Sequence, residues 1–96
     1  MEIRVQTLKF DADQKLLDYA QKKVEKLDRF DDNIVDVEIV LSLAERPENK
    51  VVKLSVSVPS EKLVVEKNAK TFEEAVTDAV DAMKERLTRN KEKRYD

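Results

Sequence analysis

The sequence predicts an α+β domain in the order β-α-β-β-β-α, with two helices packed on one face of a four-stranded sheet. Three observations predict this fold: two stretches with helical periodicity, four stretches in which apolar and polar residues alternate, and short polar loops between the last three strands. Such alternation leaves one sheet face apolar, and amphipathic helices cover a face of that kind. We therefore expect residues 1–96 to form a single domain.

The first 29 residues contain the first strand and the first helix. Ile3 and Val5 alternate with polar neighbours, and the alternation breaks at residues 6–7, where the strand ends or bulges. Asp13, with Asp11 as the alternative, is the expected N-cap of a helix that extends to about Arg29. The apolar face of this helix consists of Leu16, Leu17, Ala20, Val24 and Leu27.

The next three strands form an antiparallel meander. Residues 51–58 alternate clearly, and a tight turn at Pro59-Ser60 leads into a fourth strand over residues 61–70. Residues 34–44 form the strand before them. Its predicted core-facing residues are Val35, Val37, Ile39, Leu41 and Leu43.

The last quarter of the chain is a long amphipathic helix. Thr71 and Glu74 have the spacing of a capping box. We expect the apolar face to pack on the sheet for about four turns, and the end of the helix after Leu87 to extend beyond the core. The apolar face consists of Phe72, Ala75, Val76, Ala79, Val80, Met83 and Leu87.

The composition excludes several kinds of site. The chain contains no Gly, Cys or His, which removes Gly-rich phosphate loops, thiolate nucleophiles, disulfides and imidazole chemistry. No apolar run is long enough to span a membrane, and the first residues do not resemble a signal peptide. We expect a cytoplasmic protein with no enzymatic activity, cofactor, metal ion, membrane partner or small-molecule substrate.

Two carboxylate pairs leave open a metal-dependent hydrolase. Asp31 and Asp32 lie in a turn, and Asp78 and Asp81 lie on one flank of the last helix. A solvated turn and a solvated helix flank account for the same residues. A metal-dependent hydrolase is therefore less favoured than the RNA-binding and protein-interaction functions described below.

Cations cluster on each helix although the formal net charge is −2. Four cations of the first helix lie within about 60° of one another, opposite its apolar face, and Lys23 lies beside them. These four are Lys15, Lys22, Lys26 and Arg29. The basic end of the last helix contributes Lys84, Arg86, Arg89, Lys91, Lys93 and Arg94.

The two basic clusters admit two interpretations. If both helices cover the same sheet face, the clusters can form one continuous basic strip suited to a phosphate backbone. Alternatively, they are ordinary solvated helix faces with intrahelical ion pairs. Aromatic residues are scarce near them, with only Tyr19 and Tyr95 in range, which favours recognition of RNA shape and phosphates over base stacking.

Two sets of residues carry a resemblance to a known family. In the first helix they are Asp13, Leu16, Tyr19, Lys26-Leu27 and Phe30-Asp31. In the second helix and its basic tail they are Thr71-Phe72, Ala75-Val76, Asp81, Arg86-Leu87 and residues 89–93. With these residues, and with an order of elements that matches over essentially the whole chain, the sequence resembles the short ribosome hibernation promoting factors and the related ribosome-associated translation inhibitor.

The resemblance implies a fold similar to double-stranded RNA-binding domains. It implies a bacterial stress-response factor of stationary phase, monomeric off the ribosome, that binds the 16S rRNA of the small ribosomal subunit. Such a factor inhibits translation by occluding the channel for mRNA and tRNA. The family's basic positions fall on Lys22, Lys23, Lys26, Arg29, Arg86, Arg89, Lys91 and Lys93, and the flanking Lys84 and Arg94 complete the predicted RNA-binding set.

The alternative function is a protein-interaction module that does not bind RNA. It would use the exposed sheet face, or an edge strand that pairs with a strand of a partner. Such a module would tolerate reversal of the helix cations, whereas an RNA-binding factor would not.

Overall fold

The computed structural model describes residues 1–95, with side chains described through Glu92, and it has the predicted β-α-β-β-β-α order. A 3₁₀ turn, Lys26–Arg29, continues the first helix. The strands are β1 Glu2–Thr7, β2 Asp36–Leu43, β3 Lys50–Val58 and β4 Glu61–Ala69, and the helices are α1 Gln14–Glu25 and α2 Phe72–Tyr95.

The four strands form one sheet in the order β1-β2-β3-β4. The strand β1 runs parallel to β2, because α1 carries the chain back to the edge where β1 began. The pairs β2–β3 and β3–β4 are antiparallel, which confirms the predicted meander. Val58 pairs with Glu61, so the tight turn lies at Pro59-Ser60 as predicted.

The sequence also identifies how each helix begins. The Asp13 Oδ1 accepts a hydrogen bond from the Leu16 backbone N–H at 2.9 Å. The Thr71 Oγ1 accepts one from the Glu74 backbone N–H at 3.1 Å, which is the N-cap half of the predicted capping box. Both bonds satisfy backbone donors that the first turn of a helix leaves unpaired.

The hydrophobic core lies between the sheet and the two helices. The helix α2 packs on β3 and β4, and α1 packs on β1 and α2, so both helices cover the same sheet face. The largest fully buried side chains are Leu27, Ile39, Leu41, Leu54, Leu63, Met83 and Leu87. This arrangement directs the outer surfaces of α1 and α2 toward the same side of the molecule.

The end of α1 differs from its predicted end. The α-helix stops at Glu25, and residues 26–29, predicted to be α-helical, form the 3₁₀ turn. Leu27 is fully buried at this turn. A 3₁₀ turn is a common way for an α-helix to end, and periodicity does not distinguish the two over four residues.

Two of the core-facing predictions for residues 34–44 are wrong, one just before β2 and one at its end. Val35 is 57% exposed and Leu43 is 43% exposed. Ile34 and Val37, three residues apart, are both buried, so the chain does not alternate regularly until β2 begins at Asp36. Leu43 lies at the other end of the strand, beside the polar loop before β3.

The helix α2 stays against the sheet further than predicted. Leu87 is fully buried, as predicted, and Asn90 is only 9% exposed, so the helix stays on the core about one turn beyond the predicted end of the contact. The Arg86 Nη1 donates a hydrogen bond to the Val64 carbonyl of β4 at 2.9 Å, which holds this part of α2 at the sheet edge. No described helix, α2 included, combines the length and hydropathy of a membrane span.

Substitution of Lys9 by glycine is expected to stabilise the fold. Lys9 has a φ of 65°, a left-handed conformation that disfavours side chains with a Cβ atom, and it precedes Phe10, whose ring stacks on Phe72 at a centroid distance of 4.9 Å. Because glycine also loses more backbone entropy on folding, Lys9→Gly should raise the free energy of unfolding by only about 0.5–1 kcal/mol. Urea denaturation measures this difference.

The matched control for this prediction is Lys9→Ala, which removes the same charge but keeps the Cβ atom. It should leave the urea midpoint close to that of the original chain. If Lys9→Gly lowers the midpoint instead, the left-handed conformation at this position is not the dominant energetic term.

Candidate nucleic-acid interface

Three predicted RNA-binding cations lie together on the outer side of α1 and its 3₁₀ turn. Lys22, Lys26 and Arg29 are exposed, and with Glu25 they line a shallow cleft of about 490 Å³. We call these three cations the α1 ridge. Lys15 is exposed about two turns before Lys22 on the same side of α1.

The three cations of the α1 ridge form no salt bridge with any described acid. Among the described side chains, the salt bridges involve Arg4, Lys84 and Arg89, and none involves a cation of the ridge. The acid in the cleft, Glu25, accepts a hydrogen bond from Gln21 at 3.1 Å. The ridge therefore presents cations that a phosphate can approach without displacing an ion pair.

A hydrogen bond fixes α1 relative to α2. The Tyr19 hydroxyl and the Thr77 Oγ1 are 3.0 Å apart, and the Lys23 Nζ lies 5.7 Å from the centroid of the Tyr19 ring. Lys23 is therefore half-buried beside the Tyr19 ring rather than on the ridge. Because its hydroxyl and one ring face are engaged, Tyr19 is poorly placed to stack on a base.

Lys84 connects α2 to the end of the α1 ridge. Its Nζ lies 5.3 Å from the centroid of the Phe30 ring, directly after Arg29, and 3.7 Å from the Asp81 carboxylate. Lys91 is seven residues further along α2, on nearly the same helix face. One side of α2 thus extends the basic surface of α1.

Arg86 and Arg89 lie on the other side of α2. Lys84 and Arg86 are about 200° apart around the helix, and the bond from Arg86 to Val64 places that side at β4. Exposed acids separate the two flanks, and Arg89 lies 3.9 Å from one of them, Glu85. The acids are Asp78, Asp81, Glu85 and Glu92.

The predicted continuous strip is therefore two basic surfaces with an acidic stripe between them. The rotation of α2 about its own axis is the physical reason, since it turns the two flanks in opposite directions. An RNA-binding role for each residue stays a prediction. The side chains of Lys93, Arg94 and Tyr95 lie outside the described residues.

Part of the acidity of the chain lies on the far side of the sheet. Arg4 lies 3.6 Å from Glu38 and 3.9 Å from both Glu2 and Asp36. These residues occupy β1 and β2 on the face opposite the helices. These three acids are thus remote from the α1 ridge.

The four aspartates of the hydrolase alternative do not form a metal site in the described part of the chain. Asp31 is 1% exposed and accepts a hydrogen bond from the Asn33 backbone N–H at 2.9 Å, whereas Asp78 and Asp81 are exposed on α2. In the part of the chain that the structure describes, no group of three or more acidic, Cys or His side chains is arranged to hold a metal ion.

Comparison with known proteins gives both a family and a fold. A family model described as sigma 54 modulation protein / S30EA ribosomal protein matches residues 3–95. The N-terminal domain of Protein Y from Thermus thermophilus is 27% identical, with a TM-score of 0.80 over 93% of this chain and 98% of that one. A ribosomal subunit interface protein from Coxiella burnetii is 18% identical, with a TM-score of 0.86 over 95% of this chain and 98% of that one. This likeness supports the fold. Comparison with curated proteins gives no match.

Proposed function

The chain belongs to the sigma 54 modulation protein / S30EA ribosomal protein family, and from this premise we propose that it is a ribosome hibernation factor. It binds the small ribosomal subunit in the channel for mRNA and tRNA, contacts 16S rRNA, and blocks translation by occupying the channel. The proposal places the protein in the cytoplasm and needs no catalytic step or cofactor. The description of the family, which includes a ribosomal protein, supports a ribosome partner.

The α1 ridge is the observation that carries this proposal. Its three cations are exposed, close together and free of salt bridges with described acids, as a surface that binds a phosphate backbone requires. Lys84 extends this surface along α2. The acids around Arg4 lie on the opposite sheet face, so the net charge of −2 does not prevent local attraction to RNA.

The mechanism is steric. The folded chain measures 42 × 24 × 17 Å, and the Tyr19–Thr77 bond joins its two helices into one surface. A body of this size bound in a channel excludes other occupants without any chemical step. Release follows when the phosphate contacts are screened or when a competing ligand takes the channel.

Pairing of an added strand at β4, one form of the protein-interaction alternative, receives little support. Arg86 donates to the Val64 carbonyl, which an added strand at this edge would need as an acceptor. A strand pairing here would therefore have to displace Arg86.

Co-sedimentation with purified small subunits across a salt series tests the proposal. With about three phosphates neutralised, the logarithm of the binding constant should fall with the logarithm of salt concentration at a slope of about −2 to −3. A slope of −3 corresponds to a loss of about 60-fold between about 50 and 200 mM salt. Initiator tRNA, added at saturating concentration, should displace the protein.

Two results would contradict the proposal in different parts. A flat salt response would show that phosphate contacts do not hold the complex together. Salt-sensitive binding that initiator tRNA leaves unchanged would place the protein outside the channel and overturn the occlusion mechanism.

A further inference from the structure

A second cleft lies on the β4 side of α2, away from the α1 ridge. It has a volume of about 390 Å³, and its floor and walls come from the start of β4 and the later turns of α2. Volumes of roughly 300–1,000 Å³ are typical of ligand pockets. We call it the α2–β4 cleft, and the residues that line it are Glu61, Leu63, Arg86, Arg89 and Asn90.

Asn90 is the unusual residue of this cleft. It follows Met83 and Leu87 on the buried face of α2 and is 9% exposed, a position where an apolar side chain would fit the pattern. Its Oδ1 is buried, and no donor among the described residues bonds to it. Buried amide oxygens are rarely left unpaired, because an unpaired one costs free energy. A donor supplied by a ligand in the cleft, met by a rotation of the amide, would remove that cost.

The charged residues of the cleft do not neutralise one another. Among the described side chains, no salt bridge joins Glu61 to Arg86 or Arg89. Arg86 is fixed by its bond to the Val64 carbonyl and keeps further N–H donors. The side chain of Arg89 is 64% exposed and lies 3.9 Å from the exposed Glu85 carboxylate, so a phosphate at the mouth would compete with Glu85 for its guanidinium. The cleft thus offers a carboxylate acceptor and guanidinium donors on separate walls.

Guanine is the nucleobase whose hydrogen-bonding groups match this set. Its N1–H and N2–H₂ are adjacent donors for a single carboxylate, and its O6 and N7 are acceptors for a guanidinium. Adenine and cytosine each present one exocyclic amine and lack the paired donors. An RNA base offers this edge only when it is unpaired, and such bases are also held by arginine planes.

We propose that the α2–β4 cleft receives one unpaired guanine nucleotide of the bound RNA, an inference that rests on the RNA binding proposed above. Glu61 accepts from N1–H and N2–H, Arg86 donates to O6, and Arg89 pairs with the phosphate. The Asn90 Oδ1 accepts from the ribose 2′-hydroxyl, which supplies its missing donor. The cleft thereby adds a preference for one base to a surface that otherwise reads phosphates.

Nuclear magnetic resonance titration of the isolated protein tests this site without the ribosome. The probes are guanosine 5′-monophosphate, adenosine 5′-monophosphate and inorganic phosphate, followed by the RNA pentamers UUGUU and UUAUU. The guanine probes should shift the Asn90 side-chain amide and the Leu63 backbone amide, and should bind at least tenfold more tightly than their adenine counterparts. Glu61→Gln should remove this preference.

The control is Glu66→Gln, which removes the same charge from an exposed residue of β4 outside the cleft. It should bind guanosine 5′-monophosphate as the original chain does. Equal responses to the guanine, adenine and phosphate probes, or no response at Asn90, would overturn the proposal. Binding of the mononucleotide without a preference for UUGUU over UUAUU would overturn its assignment to RNA.

This test fails or succeeds separately from the ribosome proposal. If the original chain does not co-sediment with small subunits but still selects guanine, the ribosome assignment is overturned and the cleft stands. If it co-sediments as expected but does not select guanine, only the cleft is overturned.

Discussion

Reversing all three cations of the α1 ridge, by Lys22→Glu, Lys26→Glu and Arg29→Glu together, is expected to weaken binding to the small ribosomal subunit at least about 100-fold. Hydrogen bonds to a charged group contribute about 1.5–3 kcal/mol each, and about 1.4 kcal/mol is a tenfold change in affinity. Two lost contacts already reach 100-fold, and the new carboxylates add repulsion from phosphates. Co-sedimentation at low salt measures the loss.

A matched variant separates the position of the charge from its amount. Lys53→Glu, Lys62→Glu and Lys67→Glu together lower the formal net charge from −2 by the same six units, at exposed residues of the sheet. Binding of this control should fall no more than about tenfold, through weaker long-range attraction alone. Equal losses in both variants would mean that net charge, and not the ridge, governs binding.

Circular dichroism on the ridge variant shows whether it is folded, which we expect because all three residues are exposed. The salt series then adds a second criterion. A variant that has lost phosphate contacts should show a shallower salt slope as well as a lower affinity. A folded ridge variant that binds as the original chain does would show that the interface lies elsewhere.

Most of the fold was predictable because its signals are local. Alternation over β3, helical spacing in α1 and α2, the Asp13 and Thr71 caps and the Pro59-Ser60 turn each depend on a few neighbouring residues. The errors lie where tertiary packing decides. The outward turn of Val35 depends on Ile34 taking the buried position, and alternation alone does not show which of two adjacent apolar residues is buried.

The exposure of the cations on α1 was predictable from the sequence, but the shape of the basic surface was not. Spacing correctly placed the exposed cations of α1 opposite its apolar face. It could not give the rotation of α2, which sends Lys84 toward Phe30 and Arg86 toward Val64. Asn90 had a detectable signal that was missed, since a single polar residue continues the apolar spacing of α2.

The second large effect expected is on stability. Leu87→Ala removes a fully buried side chain from the part of α2 that continues to Asn90. Core truncations of this kind cost about 2–5 kcal/mol, because a cavity remains where the side chain was. Since the free energy of unfolding of a small domain is only about 5–15 kcal/mol in total, we expect a large fall in the urea midpoint.

Leu8→Ala is the matched control, because Leu8 is 51% exposed and should change the free energy of unfolding by no more than about 0.5 kcal/mol. A cost below about 1 kcal/mol for Leu87→Ala would mean that the later turns of α2 are weakly held.

The position of Leu87 also predicts which part of the structure loses its protection first in the Leu87→Ala variant. Leu87 lies between Arg86 and the cleft residues Arg89 and Asn90 on α2, whereas the α1 ridge is on another element. Hydrogen exchange of Leu87→Ala should therefore show lost protection in residues 86–92 before the amides of α1 are affected. Under conditions where the variant is still folded, it should lose guanine selectivity and keep most of its ridge-dependent binding to small subunits. Simultaneous loss of both would mean that α2 and α1 unfold as one cooperative unit, with the Tyr19–Thr77 bond as a direct link between them.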